Sequence, residues 1–189
     1  MKEEIINGIN YRLDEETLTA EVIQKDDYRG DIIIPDAVVF NEITYRVTSI
    51  GRRAFADCQW LTTINIPNSV KTIGHDAFRY CTNITSIVIP EGVISLGEFV
   101  FYGCTKLQKV SIPSSVITIG YRSFLNTGIY NNASNWENGV LYIDNCLIAT
   151  KNDISSRYVV KEETRLIADV AFCGNSSLIS VTIPYNVTN

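Results

Sequence analysis

The chain has 189 residues, of which 46% are hydrophobic and 20% charged, so it can bury one core and is too short for two comfortable domains. Its net charge of −5 is scattered in ones and twos, and without a basic block nucleic acid is a poor candidate partner. No stretch approaches the roughly 20 apolar residues of a membrane-spanning helix, so we expect no membrane insertion of this chain. The first residues lack the apolar core of a signal peptide, which leaves two interpretations open: a cytoplasmic protein, or an exported one whose signal is not included here.

Residues 1–46 predict an N-terminal cap made of β-hairpins and a first strand. The strings 38–40 and 43–45 are rich in β-branched and aromatic residues, and they could pair across the two residues between them. The string 32–34, followed by Pro35, matches the strand pattern that recurs further along the chain.

Residues 47–125 carry a sequence repeat with a period of 23 residues. The segments IGRRAF, IGHDAF, LGEFVF and IGYRSF end in phenylalanines at that spacing, and IADVAF follows after a longer interval. A proline comes 12 residues after most of these phenylalanines. The phenylalanines are Phe55, Phe78, Phe101, Phe124 and Phe172, and the prolines are Pro67, Pro90, Pro113 and Pro184, with Lys161 in the remaining place. Such periodicity is typical of a solenoid, in which equivalent apolar side chains form columns in a shared core.

Between Phe and Pro stands the L-x-x-L-x-L pattern of leucine-rich repeats, as in Leu61, Ile64 and Ile66. Its alternating end predicts a short strand with one buried face, and stacked coils then predict a parallel sheet of about six such strands. On the other side of each coil, the segment that ends in Ala-Phe predicts a short helical or 3-10 turn. The preceding glycines are interpreted as positions that need a special backbone angle: Gly51, Gly74, Gly97 and Gly120.

Residues 126–153 interrupt the repeat. Within them, the strings 140–143 and 146–148 flank two turn-forming residues and predict an inserted β-hairpin. Residues 154–189 resume the repeat, and its last copy is incomplete at Asn189. We therefore expect either a fragment of a longer protein or an edge that a partner covers.

The full string IGRRAFADCQWLTTINIPNSV resembles the BspA-like leucine-rich repeat family. The resemblance covers about residues 48–189 outside the insertion. The departures from the family pattern are Val100 for Ala, Thr127 and Asn175 for Cys, and Lys161 for Pro. The resemblance implies one leucine-rich-repeat domain over 1–189, mostly β, and a role in binding. Members of the family are typically exported or surface-displayed by bacteria and act in adhesion to host proteins or to other cells.

Cys58, Cys81 and Cys104 occupy one column of the repeat. Stacked side chains in such a column run parallel at about 4.8 Å, whereas a disulfide needs converging Cβ atoms at ~3.8 Å. We therefore expect buried thiols at these three positions. A bridge between Cys146 and Cys173 stays open as an alternative.

No catalytic, cofactor-binding or metal-binding residue is predicted, and we expect a protein that is not an enzyme. The single histidine, His75, stands in a variable column that Arg52, Glu98 and Tyr121 fill in other coils, which is typical of solvated surface rather than of a general base. No two cysteines have the C-x-x-C spacing of a metal site.

The outward positions of the strands form the predicted binding surface. They are small hydroxyls and short aliphatics, which make a nearly flat floor suited to broad contact, although they could equally be ordinary solvated sheet residues. The predicted partner-binding residues are Thr63, Asn65, Ser86, Val88, Lys109, Ser111, Arg157 and Val159, with Trp136 of the insertion. We interpret the chain as a secreted or cell-surface interaction module that binds a host extracellular or cell-surface protein, another cell or a glycan. The alternative is a structural spacer within a longer cell-surface protein.

Overall fold

The computed structural model describes residues 1–25 and 27–187 and shows a solenoid of stacked coils, each built from short β-strands. The N-terminal strands are β1 (Lys2–Ile6), β2 (Ile9–Asp14), β3 (Thr19–Val22), β4 (Gly30–Ile33), β5 (Ala37–Phe40) and β6 (Ile43–Ile50). The regular repeats contribute β7 (Leu61–Asn65), β8 (Thr72–Ile73), β9 (Ser86–Val88), β10 (Ser95–Leu96), β11 (Lys109–Ser111) and β12 (Thr118–Ile119). The remaining elements are helix α1 (Gly128–Asn131), a 3-10 turn at Ala133–Asn135, β13 (Trp136–Glu137), β14 (Val140–Ile143), β15 (Cys146–Thr150), β16 (Arg157–Val159), β17 (Leu166–Ile167) and β18 (Ser180–Thr182). The predicted fold class, a leucine-rich-repeat solenoid, is confirmed.

The N-terminal hairpins form an antiparallel sheet that continues into the solenoid. β1 pairs with β2 and β2 with β3, both antiparallel, and β3 then runs parallel to β6. The second predicted hairpin is present as β5–β6, and its turn residues Asn41 and Glu42 have φ values of 50° and 64°. Tyr28 places its ring centroid 4.7 Å from that of Phe55 and covers the first phenylalanine of the core.

Each regular coil contains two short strands, and each strand joins its own parallel ladder. One ladder consists of β6, β8, β10 and β12. The L-x-x-L-x-L strands pair as β4–β7, β9–β11 and β16–β18, so the six expected strands form three two-stranded sheets instead of one continuous sheet. The first ladder was not predicted, because its two-residue strands are too short to show an alternating pattern.

The segment ending in Ala-Phe forms successive turns in place of the expected helical or 3-10 turn. Its N–H groups alternate: that of Ala54 bonds within its own coil at 3.2 Å, whereas those of Arg53 and Phe55 donate at 2.9 and 2.8 Å to carbonyl oxygens of the next coil. Arg53 and Asp57, two residues on either side of the phenylalanine, have left-handed φ values of 57° and 64°. A helix would direct every N–H into its own backbone. Because the N–H groups of this segment alternate in direction, every second one donates to the neighbouring coil.

The glycine column allows close packing, and the prediction of a special backbone angle was wrong. None of the four has a φ in the left-handed region: Gly51, Gly74, Gly97 and Gly120. A Cβ atom on Gly97 would lie 2.6 Å from backbone atoms of Gly74 and His75, so a larger residue would push two coils apart. Ala168 occupies the equivalent place after the insertion, and its N–H donates to the inserted residue Leu147 at 2.9 Å rather than to the last regular coil.

The phenylalanine column forms the centre of the core, as predicted. The rings of Phe55 and Phe78 stack with centroids 5.2 Å apart and planes 1° apart. Phe78 and Phe101 follow at 5.6 Å, and Phe101 and Phe124 at 5.4 Å. All four side chains are buried.

The insertion holds the predicted hairpin. β14 and β15 pair antiparallel across Asp144 and Asn145, and β15 also pairs in parallel with β17. β15 therefore takes the place of the preceding coil's strand beside β17. Sequence reasoning did not predict α1 or the 3-10 turn, whose N-caps are Thr127 and Asn132.

The core has two hydrophobic clusters. The larger one extends from the cap through the regular coils and the insertion to Leu166 and Ala168 of the following coil, and a smaller one consists of Val140, Leu147, Ile154, Val160 and Ala171. Arg165 adds a polar connection to the last regular coil: its guanidinium donates at 2.7 Å to the carbonyl oxygen of Val116 and at 2.7 Å to that of Pro113.

The boundaries 1–46, 47–125, 126–153 and 154–189 stay predictions. β6 runs across the first of them, and residues 188 and 189 of the last repeat lie outside the described residues.

Candidate functional site

The predicted partner-binding positions of the strands lie side by side within three pairs of strands, whose outward positions are together called here the sheet face. In the paired strands, Asp31 lies beside Thr63, Ile33 beside Asn65, Ser86 beside Lys109, Val88 beside Ser111, Arg157 beside Ser180 and Val159 beside Thr182. All twelve side chains are exposed. Of the residues between them, Ile87 and Val110 are buried and the other four are half-buried, which accounts for the alternation. That the sheet face binds a partner stays a prediction.

A shallow trough runs beside the sheet face along the proline column. It has a volume of about 680 Å³ and is lined by Pro35, Pro67, Pro90 and Pro113 together with outward strand residues. Ile33 and Val88 project beside it with 72% and 69% of their surface exposed. Exposed aliphatics next to rigid prolines make an apolar strip on an otherwise hydroxyl-rich surface, as protein contact sites often do. We call this strip the proline trough.

The charges of the sheet face are arranged unevenly. The Asp31 carboxylate accepts hydrogen bonds from the hydroxyls of Thr63 at 2.7 Å and Thr62 at 2.9 Å, and these bonds lower the pKa of Asp31 below its usual value. Lys109 and Arg157 are exposed, and neither forms an ion pair with any residue the structure describes. The sheet face thus offers an ordered anion at one end and two available cations further along.

Trp136 has a packing role within the insertion. Its indole N–H donates at 2.7 Å to the carbonyl oxygen of Tyr130, and the two rings meet edge to face with centroids 5.0 Å apart. The ammonium of Lys151 lies 4.8 Å from the Trp136 ring. Trp136 is half-buried and lies in β13, outside the paired strands that carry the sheet face.

Four aromatic rings form a band on the side of the coils that carries the turns. Tyr80 and Tyr102 have centroids 5.5 Å apart, Phe99 and Tyr102 5.8 Å, and Phe99 and Tyr121 5.4 Å, each pair edge to face. The guanidinium of Arg79 lies 5.0 Å from the Tyr80 ring. The sequence analysis did not identify this band, because its members occupy different columns of the repeat. The rings bridge neighbouring coils and are mostly half-buried, so we interpret the band as structural.

The side chains that could act in catalysis or metal binding do not cluster in the described part of the chain. His75 is exposed, and its Nδ1 atom lies 3.7 Å from the carboxylate of Glu98 in the next coil. No group of three or more His, Cys, Asp or Glu side chains within residues 1–25 and 27–187 is arranged to hold a metal ion.

The cysteines are thiols, as expected for the column, and no disulfide joins any of the five, all of which the structure describes. The Sγ atoms of Cys81 and Cys104 each donate at 3.0 Å to the carbonyl oxygen of a phenylalanine in the preceding coil. Burial raises the pKa of the Cys104 thiol to about 12 and that of Cys146 to about 11. Cys146 is buried and Cys173 is exposed, so the bridge left open between them is not formed.

Comparison with known families gives one match. Residues 38–155, more than half of the chain, match the family described as BspA type Leucine rich repeat region, in six copies. No curated protein matches the chain. No helix in the described part of the chain has the length and apolarity that crossing a bilayer requires.

Several solved structures are similar. A leucine rich cell surface protein from Faecalibacterium prausnitzii is 24% identical with a TM-score of 0.64, over 100% of this chain and 44% of that one. A leucine-rich repeat protein from Bacteroides capillosus is 25% identical with a TM-score of 0.62, over 70% of this chain and 96% of that one. A leucine rich repeat protein from T. pallidum is 19% identical with a TM-score of 0.55, over 98% of this chain and 83% of that one. This chain therefore spans less than half the length of the F. prausnitzii protein.

Proposed function

We propose that this chain, which belongs to the BspA-type leucine-rich repeat family, binds an extracellular protein through its sheet face and proline trough. Membership of the family implies an interaction or repeat module, and the proposal adds the surface and the class of partner. The observation that carries it is the apolar strip of Ile33 and Val88 along four prolines, on a sheet face that also carries Lys109 and Arg157, two cations without an ion pair among the described residues.

The shape of this surface favours a macromolecular partner. The trough is open and shallow along four coils, whereas small-molecule sites are concave and bury most of their ligand. An apolar strip with a polar surround has the composition of protein interfaces, in which aliphatic and aromatic contacts lie centrally and charges lie at the rim. A glycan would be the alternative ligand of the same face.

We further propose that the protein is exported or displayed at the bacterial surface and acts in adhesion to a host protein or another cell. Two observations support this placement: the family match, and the name of the F. prausnitzii structure, a cell surface protein of the same fold. Export would also leave the open faces of the solenoid accessible to large partners.

The test is a binding screen of the chain against extracellular host proteins and a glycan array. Val88→Glu places a charge in the apolar strip, and Lys109→Glu and Arg157→Glu reverse the cations. We expect Val88→Glu to weaken binding at least about tenfold and the charge reversals to slow association, more so at low salt.

Val39→Glu is the matched control, because Val39 is also an exposed strand valine, 61% exposed, on β5 away from the sheet face. Equal losses in Val88→Glu and Val39→Glu, or binding that none of the sheet-face changes affects, would contradict the proposed surface.

A structural spacer is the second candidate function. The F. prausnitzii structure favours it, because that protein is more than twice as long and this chain aligns with a part of it along its own full length. Absence of any ligand in the screen, together with further repeats encoded beside this segment, would favour the spacer.

A further inference from the structure

The hydrogen-bond ladder between the turn segments stops at the insertion, where a single backbone bond, from the Asp169 N–H to the carbonyl oxygen of Ile119 at 2.9 Å, joins the flanking coils at one end of the gap. In the coils of Phe55, Phe78 and Phe101, three N–H groups around the phenylalanine donate to the next coil. In the coil of Phe101 these bonds measure 2.9, 2.9 and 3.0 Å and come from Phe99, Phe101 and Gly103. The equivalent N–H groups of the next coil donate to no group of the described residues: they belong to Arg122, Phe124 and Asn126.

The cause is a missing half-coil. By the pattern of the regular coils, the Phe124 N–H would donate to the carbonyl oxygen of Ala171. That oxygen instead accepts the N–H of Thr150 at 2.9 Å and its hydroxyl at 2.8 Å. β15 ends at Thr150, and no backbone carbonyl of the described residues accepts the Phe124 N–H. Carbonyl oxygens across the gap are also without a donor among the described residues, namely those of Asp169 and Cys173.

A cleft of about 220 Å³ lies at this position, called here the insertion cleft. Its floor is apolar and buried, formed by Ile119, Phe124, Ile148 and Ala168. Its two walls are the coil that carries Arg122 and the coil that carries Asp169 and Cys173. The walls therefore present backbone donors on one side and backbone acceptors on the other.

We propose that the insertion cleft binds an extended peptide segment by strand addition. An extended chain directs every second carbonyl oxygen to one edge, where the alternate N–H groups of Arg122, Phe124 and Asn126 would donate, and its opposite edge would supply N–H groups for Asp169 and Cys173. The floor accepts a small aliphatic side chain between them, because a cleft of about 220 Å³ has no room for several large ones. This site is separate from the sheet face and is independent of the function proposed for that face.

The probe is a displayed library of linear random peptides, selected against the chain. Cys173 lines the cleft and is exposed, while the other four cysteines are buried, so alkylation by iodoacetamide reports on the cleft. With a selected peptide at about ten times its Kd, we expect alkylation of Cys173 and amide exchange at Arg122, Phe124 and Asn126 to slow about tenfold.

Two tryptophan variants supply the matched comparison. Cys173→Trp fills one wall of the cleft, and Ser177→Trp adds the same bulk to an exposed position of the same coil that does not line it. Affinity should fall at least about tenfold in Cys173→Trp and stay unchanged in Ser177→Trp and in Val88→Glu.

Three outcomes would overturn the proposal. In the first, no peptide is enriched above the level reached with Cys173→Trp. In the second, selected peptides protect other amides and leave Arg122, Phe124 and Asn126 unprotected. In the third, acetate alone gives the same amide protection and displaces the peptides, which would assign a small-carboxylate site instead. The exchange measurement uses the unaltered chain and does not depend on how the tryptophan variants fold.

Discussion

Phe78→Ala tests the stacked core most directly. The Phe78 side chain is fully buried, with one ring at 5.2 Å on one face and another at 5.6 Å on the other. Buried Phe→Ala changes cost about 3–5 kcal/mol, and each aromatic pair adds ~0.5–1.5 kcal/mol beyond burial. The adjacent coils are held apart at fixed spacing by bonds such as that from the Phe78 N–H to the next coil, at 2.9 Å, so the cavity has little freedom to collapse. We therefore expect a loss of about 4–5 kcal/mol, in the upper part of that range.

The assay is equilibrium denaturation in urea, followed by circular dichroism and read as the free energy of unfolding with its m-value. Phe172→Ala is the control: Phe172 is half-buried and has one aromatic neighbour, Tyr158, at 6.1 Å, so it should lose only about 1–2 kcal/mol. A loss below about 1 kcal/mol for Phe78→Ala, or one no larger than for Phe172→Ala, would refute the reasoning.

Two further predictions concern the glycine and cysteine columns. Gly97→Ala should destabilise the fold by about 1–3 kcal/mol, because its Cβ would lie 2.6 Å from rigid backbone. The control, Ala168→Gly, should cost only about 0.5–1 kcal/mol. A Gly97→Ala protein that is more stable than the original would contradict the close approach of the coils. Burial raises the pKa of Cys104 to about 12 and of Cys146 to about 11, so the folded state disfavours both thiolates. Their contribution to stability is therefore complete below the unfolded thiol pKa of about 8.5 and is lost as pH rises above it, by about 1.4 kcal/mol per pH unit for each thiol until the folded pKa is reached. Urea titrations at pH 8, 9 and 10 under reducing conditions should show this fall in the free energy of unfolding with pH. The fall should be smaller by the contribution of one thiol in Cys104→Ala. An unchanged pH dependence in that variant would contradict the raised pKa of Cys104.

The columns of the solenoid could be predicted from the sequence, because the repeat places the same apolar residue at the same place in each coil. Phe78 and Val88 show this: their spacing alone indicates that one points inward and the other outward, and the structure agrees. The hairpin around Asp144 was also predictable, since a two-residue turn between apolar strings is a local signal.

The features that join coils to each other could not be predicted in this way. The bond from Arg165 to Val116 spans 49 residues, and no local pattern marks it. The reason for glycine at position 97 is visible only when the distance to the preceding coil is known. The insertion cleft depends on which coil β15 lies against, and a sequence period does not contain that information.

The interruption of the hydrogen-bond ladder at the insertion has a consequence for how the molecule opens. In a solenoid each coil is stabilised only by contacts with its neighbours, so local unfolding begins at the weakest junction between coils. That junction lies where the N–H groups of Arg122, Phe124 and Asn126 have no acceptor among the described residues, and where the Arg165 side chain and the bond from the Asp169 N–H to Ile119 provide the polar connection. Residues 154–187 should therefore melt as a separate cooperative unit, at a lower free energy than the regular coils, and a peptide held between the two units would join their transitions into one.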